Sequence, residues 1–475
     1  MQKYTKTELF ASVPIPRALA AMAIPTIISQ LINLIYNMVD AFFIGRTGNA
    51  YMMAATTVTL TLTMLNVAFA NLFGVGGGSL IARLMGRKQE DEARRVSAYA
   101  VRGAVLLGLG YAVLTAVFIG PILRFLGASD ATLGYAEQYT LYVIVIGTTP
   151  AILSLTLAHL LRNAGYAGQA SLGLSLGGVL NMALDPLFMF VLLPKGREVT
   201  GAALATLISN VIACGYLLVV FRRAVGSAPL SLDPRNSKGI SKQSVKELYT
   251  VGVPSALLTG LFDLASICVN KLAAAHDDLV LAAFGIVMKV ERIPNAVNIC
   301  LCQGMMPIVA YNFAAGNRKR MHKTLSFARL CGLGISALSI LLLEIFARPA
   351  TNLFLSTATE HAAEAAATVG FAALYLRIRC LASPVQFINY HTSFGMQAIG
   401  SGKATLLHAA VRELGIYIPL MYVLDRLFGA KGLAAALPIG EGLAAIFALI
   451  LLRIVLRRRA RERQLETEST PPSAG

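Results

Sequence analysis

The chain is poor in charge. Of its 475 residues only 14% are Asp, Glu, Lys or Arg, while 56% are hydrophobic and the mean hydropathy is +0.66. That balance excludes an ordinary soluble globular protein. Acidic residues are the scarcer sign, 24 against 41 basic, for a net charge of +17. Such an excess can mark a nucleic-acid binder. Here the basic residues fall in short stretches between hydrophobic runs, where they act as topology signals, so no nucleic-acid partner is expected. The cysteines (Cys214, Cys268, Cys300, Cys302, Cys331 and Cys380) lie inside apolar runs with neither metal-ligand spacing nor a disulfide framework, and are expected to be small core residues. The period-two alternation of a β-barrel is absent. There is no Walker motif. Gly74, Gly76, Gly77 and Gly78 follow no strand and precede no Lys-Ser/Thr, which leaves close helix packing or a hinge rather than phosphate binding. No convergent catalytic set is visible, so neither an enzyme nor a resident cofactor is expected. His159 and His391 lack companions for zinc. Met1–Arg17 has no short apolar core or small-residue cleavage site before the first long helix, so a cleaved leader is not expected.

What the chain does have is apolar runs of 20 or more residues from end to end, the mark of a polytopic membrane protein. In lipid the backbone of those runs must be satisfied internally, which makes them helices. Twelve spans are predicted, at about 18–44, 52–82, 97–123, 135–161, 169–193, 199–221, 247–271, 279–311, 324–347, 364–395, 403–425 and 432–456. An even number places both termini on one side. The loops on that side hold 26 Lys and Arg and the opposite loops 8, so both termini are expected in the cytoplasm.

The polar stretch FRRAVGSAPLSLDPRNSKGISKQSVKE divides the spans into two sets of six. The organisation expected is an N-lobe over 1–222, a cytoplasmic linker over 223–246, a C-lobe over 247–456 and a disordered tail over 457–475. The halves also repeat. MAIPTIISQLINLIYNMVD aligns with VGVPSALLTGLFDLASICVN, Pro25 on Pro254. GGGSLIARLMGRKQEDEA aligns with CQGMMPIVAYNFAAGNRKRM, Gly86 on Gly316, while RFLG at 124–127 matches NLFL at 352–355 and Pro150 matches Pro384. Repeats of six spans share one orientation and are related by an axis along the membrane normal, an arrangement that encloses a central pathway. This favours a transporter over a receptor or a membrane enzyme.

The first span carries an unusual polar stripe. Asn33, Asn37 and Asp40 are spaced i, i+4, i+7 on one helical face, with no basic residue between Ile24 and Arg46. A carboxylate at that depth costs about 2.5–3.5 kcal/mol on insertion scales. Pro25, about four turns earlier, removes a helix hydrogen bond and is a candidate hinge. In the fifth span Asn181 and Asp185 are i, i+4, and Pro186 follows at once. Asp40, Asn181 and Asp185 together form a candidate proton or cation site, with oxygen ligands that suit Na⁺ as well as H⁺. The alternative is two separate buried acids, each hydrogen-bonded to its own neighbours. In the second half Asp263 lies on the repeat counterpart of the first span, and Glu441, unpaired in its own stretch, is a candidate cavity residue. Glu291 lies between Lys289 and Arg292 and is expected to pair locally. Arg377, Arg379, Arg412 and Glu413 are read as lining or interhelical pairing.

Four segments in this order resemble the multidrug and toxic compound extrusion (MATE) family, bacterial branch: IPTIISQLINLIYNMVDAFFIGRTG, GVGGGSLIARLMGRKQEDEA, LGGVLNMALDPLFMF and FGIVMKVERIPNAVNICLCQGMMPIVAYNFAAGN. The likeness spans essentially the whole chain. It implies an all-α protein of twelve transmembrane helices in two pseudo-symmetric six-helix bundles around a central cavity. It implies a secondary antiporter exporting cationic drugs or toxins against H⁺ or Na⁺; a monomer in the bacterial inner membrane is expected. The family's first-helix acid and fifth-helix Asn-x-x-x-Asp pair fall on Asp40, Asn181 and Asp185, its bending proline on Pro25, and a fourth-helix tyrosine on Tyr139. Asp263 is near the seventh-helix acid of one subgroup but is shorter than the Glu found there. The competing expectation is a lipid-linked oligosaccharide flippase of the same superfamily, whose cavity would be rich in Arg and Lys.

Overall fold

The computed structural model describes residues 6–352 and 362–469; the described residues are overwhelmingly helical and contain no strand. Among the described residues, nine helices are long and apolar enough to cross a membrane. They include α1 (Ile15–Arg46), α2 (Ala50–Gly86), α3 (Glu90–Val117), α5 (Ala167–Leu192), α6 (Glu198–Ala224), α7 (Lys242–His276), α8 (Asp278–Ala314) and α9 (Arg318–Asn352). Two more spans are bent pairs: α4 from Asp130–Ile146 and Thr148–Asn163, at 48°, and α10 from Ala366–Cys380 and Ser383–Ala398, at 50°. Pro150 and Pro384, paired in the repeat, each stand just after such a bend, where a missing N–H leaves the preceding turn unsupported. The ninth long helix, Gly402–Arg459, would be about 87 Å long at the usual rise, against a hydrocarbon core of about 30 Å. It breaks at Gly429, whose φ of 61° and ψ of −149° suit glycine alone. The break gives α11 (402–428) and α12 (430–459), which makes twelve spans among the described residues.

The NLFL match at 352–355 lies, but for Asn352, outside the described residues. From 457 on, where disorder is expected, the backbone continues as helix to Ser469. The run RRRARERQLE is rich in strong helix formers and extends an already nucleated helix. Residues 470–475 lie outside the description.

The described residues group into two compact units. One is Met1–Gly260 with Gln303–Phe327, and the other is Leu261–Cys302 with Ala328–Gly475. The 223–246 stretch belongs to the first unit, and the division falls within α7, α8 and α9. The stretch is pinned along α3. The Ser231 amide donates to Ser97 Oγ at 2.8 Å, Arg102 donates to Ser237 Oγ at 3.2 Å, and the Ser241 amide donates to Glu92 Oε1 at 3.0 Å. Leu230 is fully buried there.

Glycines set the spacing inside the first unit. A Cβ on Gly74 would lie 3.0 Å from the His159 side chain, and one on Gly78 would lie 2.5 Å from Asn163 Nδ2, so α2 and α4 meet at an i, i+4 pair. On another face a Cβ on Gly76 would lie 2.6 Å from the Leu248 carbonyl, and one on Gly252 would collide with the Leu72 carbonyl. There α2 and α7 touch backbone to backbone. Of the two readings open for Gly74–Gly78, the structure shows close helix packing. Around this crossing lies an apolar core that includes Ile81, Leu84, Leu157, Leu161, Phe221, Leu248 and Ile308. The second unit has its own core, with Phe284 stacked on Tyr375 at 4.8 Å between ring centres and Leu376, Met421 and Leu433 fully buried.

Candidate functional site

The site is built where α1 lies along α5. Both helices carry the same i, i+3, i+7 pattern: Asn33, Tyr36 and Asp40 on α1, and Gly178, Asn181 and Asp185 on α5. Gly178 provides the close approach. A Cβ there would stand 3.1 Å from Tyr36 Cδ1 and 3.2 Å from Asn33 Oδ1. One turn further along, Asn181 Nδ2 donates to Asp185 Oδ1 at 3.2 Å and to Thr206 Oγ1 of α6 at 3.2 Å. Asp185 is fully buried and Asn181 nearly so.

The electrostatic neighbours extend the cluster. Asp40 and Asp185 are within electrostatic reach of each other, and Tyr36 and Tyr139 are within reach of both. The Tyr139 side chain, on α4, also reaches Thr206. Among the described residues, three oxygens here find no hydrogen-bond donor: Asp40 Oδ1, Asn181 Oδ1 and Asp185 Oδ2. Buried acceptors left without donors are costly. A bound proton or a cation ligated by oxygen would satisfy them, and both are chemically suited to this donor set.

Of the residues singled out in the sequence, Asp40, Asn181, Asp185 and Tyr139 are thus brought together, with Asn33 one turn away. Asn37 is exposed and donates back to the Asn33 carbonyl of its own helix at 2.6 Å. Pro25 stands inside an unbroken α1. Just before it, a Cβ on Gly304 of α8 would be 2.8 Å from the Ala23 backbone, so the turn ahead of the proline is held. Beyond it, Ile28, Ile35, Met38 and Phe42 have roughly half their surface uncovered by protein. Asp263 lies on α7 in the second unit, and its side chain is outside the described residues. Glu441 lies in the second unit as well. It is buried and held by Arg412, Asn389 and Gln386, with Arg412 Nε at 3.0 Å and Asn389 Nδ2 at 2.6 Å.

Tyr36, Thr206 and Gly178 join the cluster without having been singled out in the sequence. Tyr36 had a signal, since it lies four residues before Asp40 on the same stripe. Thr206 had none, because nothing in a run of small apolar residues marks one threonine. Glu291, for which a local partner is expected, also engages Arg379, 88 residues away, which donates to both its oxygens at 2.9 Å.

Comparison with known proteins gives the family. The MatE family model matches the chain twice, over residues 25–187 and 254–423, starting on the prolines paired in the repeat. The chain belongs to the MATE family. Among its relatives is the multidrug export protein MepA of Staphylococcus haemolyticus (strain JCSC1435), 30% identical over 437 residues, covering 92% of this chain and 93% of that protein. MepA of Staphylococcus aureus (strain N315) is 28% identical over 450 residues, covering 94% and 96%. A crystal structure of a MATE protein in complex with MaL6 superposes with a TM-score of 0.89 at 22% identity, covering 97% of this chain and 100% of that one. The twelve-helix fold expected from the sequence is therefore the fold of this family, and MATE proteins are efflux transporters rather than enzymes.

Proposed function

We propose that this MATE transporter is a multidrug antiporter, exporting organic cations in exchange for H⁺ or Na⁺, with the exchange centred on Asp40, Asn181 and Asp185. The observation that carries the reading is the set of three unbonded oxygens on α1 and α5 in an apolar interior. An ion arriving there neutralises the carboxylates, and a cationic substrate competes for the same negative charge. Binding of one weakens binding of the other, which is the thermodynamic content of antiport. Tyr36 and Tyr139 offer aromatic faces to an organic cation. The missing N–H at Pro25 lets α1 rearrange beyond its held first turns when the charge on Asp40 changes.

The charge asymmetry of the loops supports cytoplasmic termini and residence in the bacterial inner membrane. The two homologous halves, 1–222 and 247–456, act as the moving lobes, and a monomer suffices. The acidic character of the first-unit cluster argues against the flippase, whose substrate pyrophosphate would call for Arg and Lys.

The test is efflux of a cationic dye from proteoliposomes, with a Na⁺ gradient or a pH gradient imposed separately. Whichever gradient drives efflux in the wild type should fail to do so in Asp40→Asn, while the melting temperature stays near that of the wild type. Normal gradient-driven efflux by the folded variant would sink the proposal.

A further inference from the structure

The second unit holds a second set of charges away from lipid, and they do not balance. Among the described residues, two guanidiniums and three carboxylates are buried there: Arg379, Arg412, Glu291, Glu413 and Glu441, each no more than 8% exposed. Glu291 engages Arg379 through two hydrogen bonds of 2.9 Å. Glu441 engages Arg412 in the same two-pronged way, through Nε at 3.0 Å and through Nη2, and takes a further hydrogen bond from Asn389 at 2.6 Å. Both guanidinium forks are then committed. Glu413 is left with Arg412 Nε at 3.6 Å and accepts no hydrogen bond among the described residues.

We propose that Glu413 is a proton-binding site of the second unit, separate from the α1–α5 cluster, and that its proton controls how Arg412 is shared between Glu413 and Glu441. The first support is charge. A carboxylate buried without a hydrogen bond, and itself the one negative charge in excess of the two guanidiniums, is stabilised by taking up a proton. The second is local geometry. Residues 411–417 form a π-helical turn, and in this wider turn two consecutive residues, Arg412 and Glu413, are both buried. Such turns interrupt regular helix hydrogen bonding and recur at functional positions.

Among the described residues, Arg412 is the positive charge that acts on Glu413, and Glu441 the negative one. His408 is satisfied as a neutral ring, with Nε2 donating to Asn389 Oδ1 at 3.1 Å and Nδ1 accepting from Ser393 Oγ at 2.9 Å. Tyr390 lies under the Arg412 guanidinium at 5.1 Å, and Tyr417 stands 3.5 Å from Arg379 Nη1. A proton fits better than Na⁺. A metal ion needs several free oxygens, whereas both Glu441 oxygens are already occupied and a guanidinium lies 3.6 Å from the Glu413 oxygen. When the proton leaves, Glu413 becomes a second claimant on Arg412. The π-turn of α11 is then drawn against the Arg412–Glu441 tie to α12 and the Asn389 tie to α10, so proton occupancy biases the packing of three helices.

The assay is infrared difference spectroscopy of the reconstituted full chain after a step to alkaline pH, combined with indicator-dye counting of protons released. Both are run in an Asp40→Asn/Asp185→Asn background, which removes the acids of the α1–α5 cluster. Glu413→Gln has the shape of a protonated acid. It should abolish a protonated-carboxyl carbonyl band and release one proton fewer per chain. Glu413→Asp should keep the band at a shifted frequency. An unchanged band and proton count in Glu413→Gln would overturn the proposal. So would an absent band in the background protein, since Glu413 would then already be ionised. Neither outcome bears on whether Asp40 couples efflux, which the dye assay tests by itself.

Discussion

Gly178 is the position at which the candidate site and the packing meet, and replacing it by alanine isolates what the close approach of α1 and α5 is worth. In a helix Gly→Ala ordinarily stabilises, by about 0.5–1 kcal/mol, because alanine loses less backbone entropy. At Gly178 the added methyl would sit 3.1 Å from Tyr36 Cδ1, 3.2 Å from Asn33 Oδ1 and 3.3 Å from Ile32 Cγ2. All three neighbours are on α1, so the helix must give by a few tenths of an ångström. Overpacking of this kind costs about 1–3 kcal/mol. The two effects nearly cancel at the lower limit, and the net is a loss of about 2 kcal/mol at the upper. Gly215 on α6 has nothing within 4 Å of an added Cβ and serves as the internal control. The expectation is that Gly215→Ala raises the thermal midpoint, while Gly178→Ala leaves it level or lowers it. A bias of about 1–3 kcal/mol against the state in which α1 rests on α5 also corresponds to about a 5- to 150-fold shift between conformers. Gly178→Ala should therefore change the dye efflux rate while Gly215→Ala leaves it near wild type. Equal stabilisation by the two substitutions, with equal efflux, would refute the claim that Gly178 sets the α1–α5 distance.

Two further outcomes follow from the packing. Gly252→Ala drives a methyl into the Leu72 carbonyl, which as backbone cannot move aside; a loss of about 3 kcal/mol or more is expected, and a thermal midpoint within a degree of wild type would contradict the α2–α7 crossing. Glu291→Gln leaves the buried Arg379 without its counter-charge, at a cost of about 3–5 kcal/mol. Thermal unfolding of the reconstituted chain measures it, and an unshifted midpoint would mean that Arg379 has another anion to turn to.

Much of the first-unit cluster was legible because its signal is local. Asn33, Asn37 and Asp40 on one helix, and Asn181 and Asp185 on another, stand out by helical spacing and by the cost of polar groups in lipid. The repeat then placed Pro25 against Pro254, and Pro150 against Pro384 at the two bent spans. Partners on other helices leave no such local signal. The tie from Glu291 to Arg379, 88 residues away, has no local signal. Glu441 looked unpaired and is among the most heavily bonded side chains of the second unit, while the adjacent Glu413 is the one left over. Asn37 shares the stripe, is bonded to the Asn33 carbonyl of its own helix and also reaches the Tyr36 side chain.

The amino-acid sequence by itself determined that the chain lives in a membrane, that it is helical there, that it crosses twelve times in two related halves, and that Asp40, Asn181 and Asp185 are costly to place in lipid. Each of these follows from composition or from periodicities within one helix, which the solvent and the backbone impose before any helix meets another. Tertiary structure alone decided which charges neutralise which, that Tyr36 and Thr206 join the cluster, that the 223–246 stretch is pinned along α3, and that Gly74–Gly78 serve helix packing. Those facts depend on which faces of distant helices touch and at what separation. Side chains from sequence-remote segments set that separation, and no local pattern carries it.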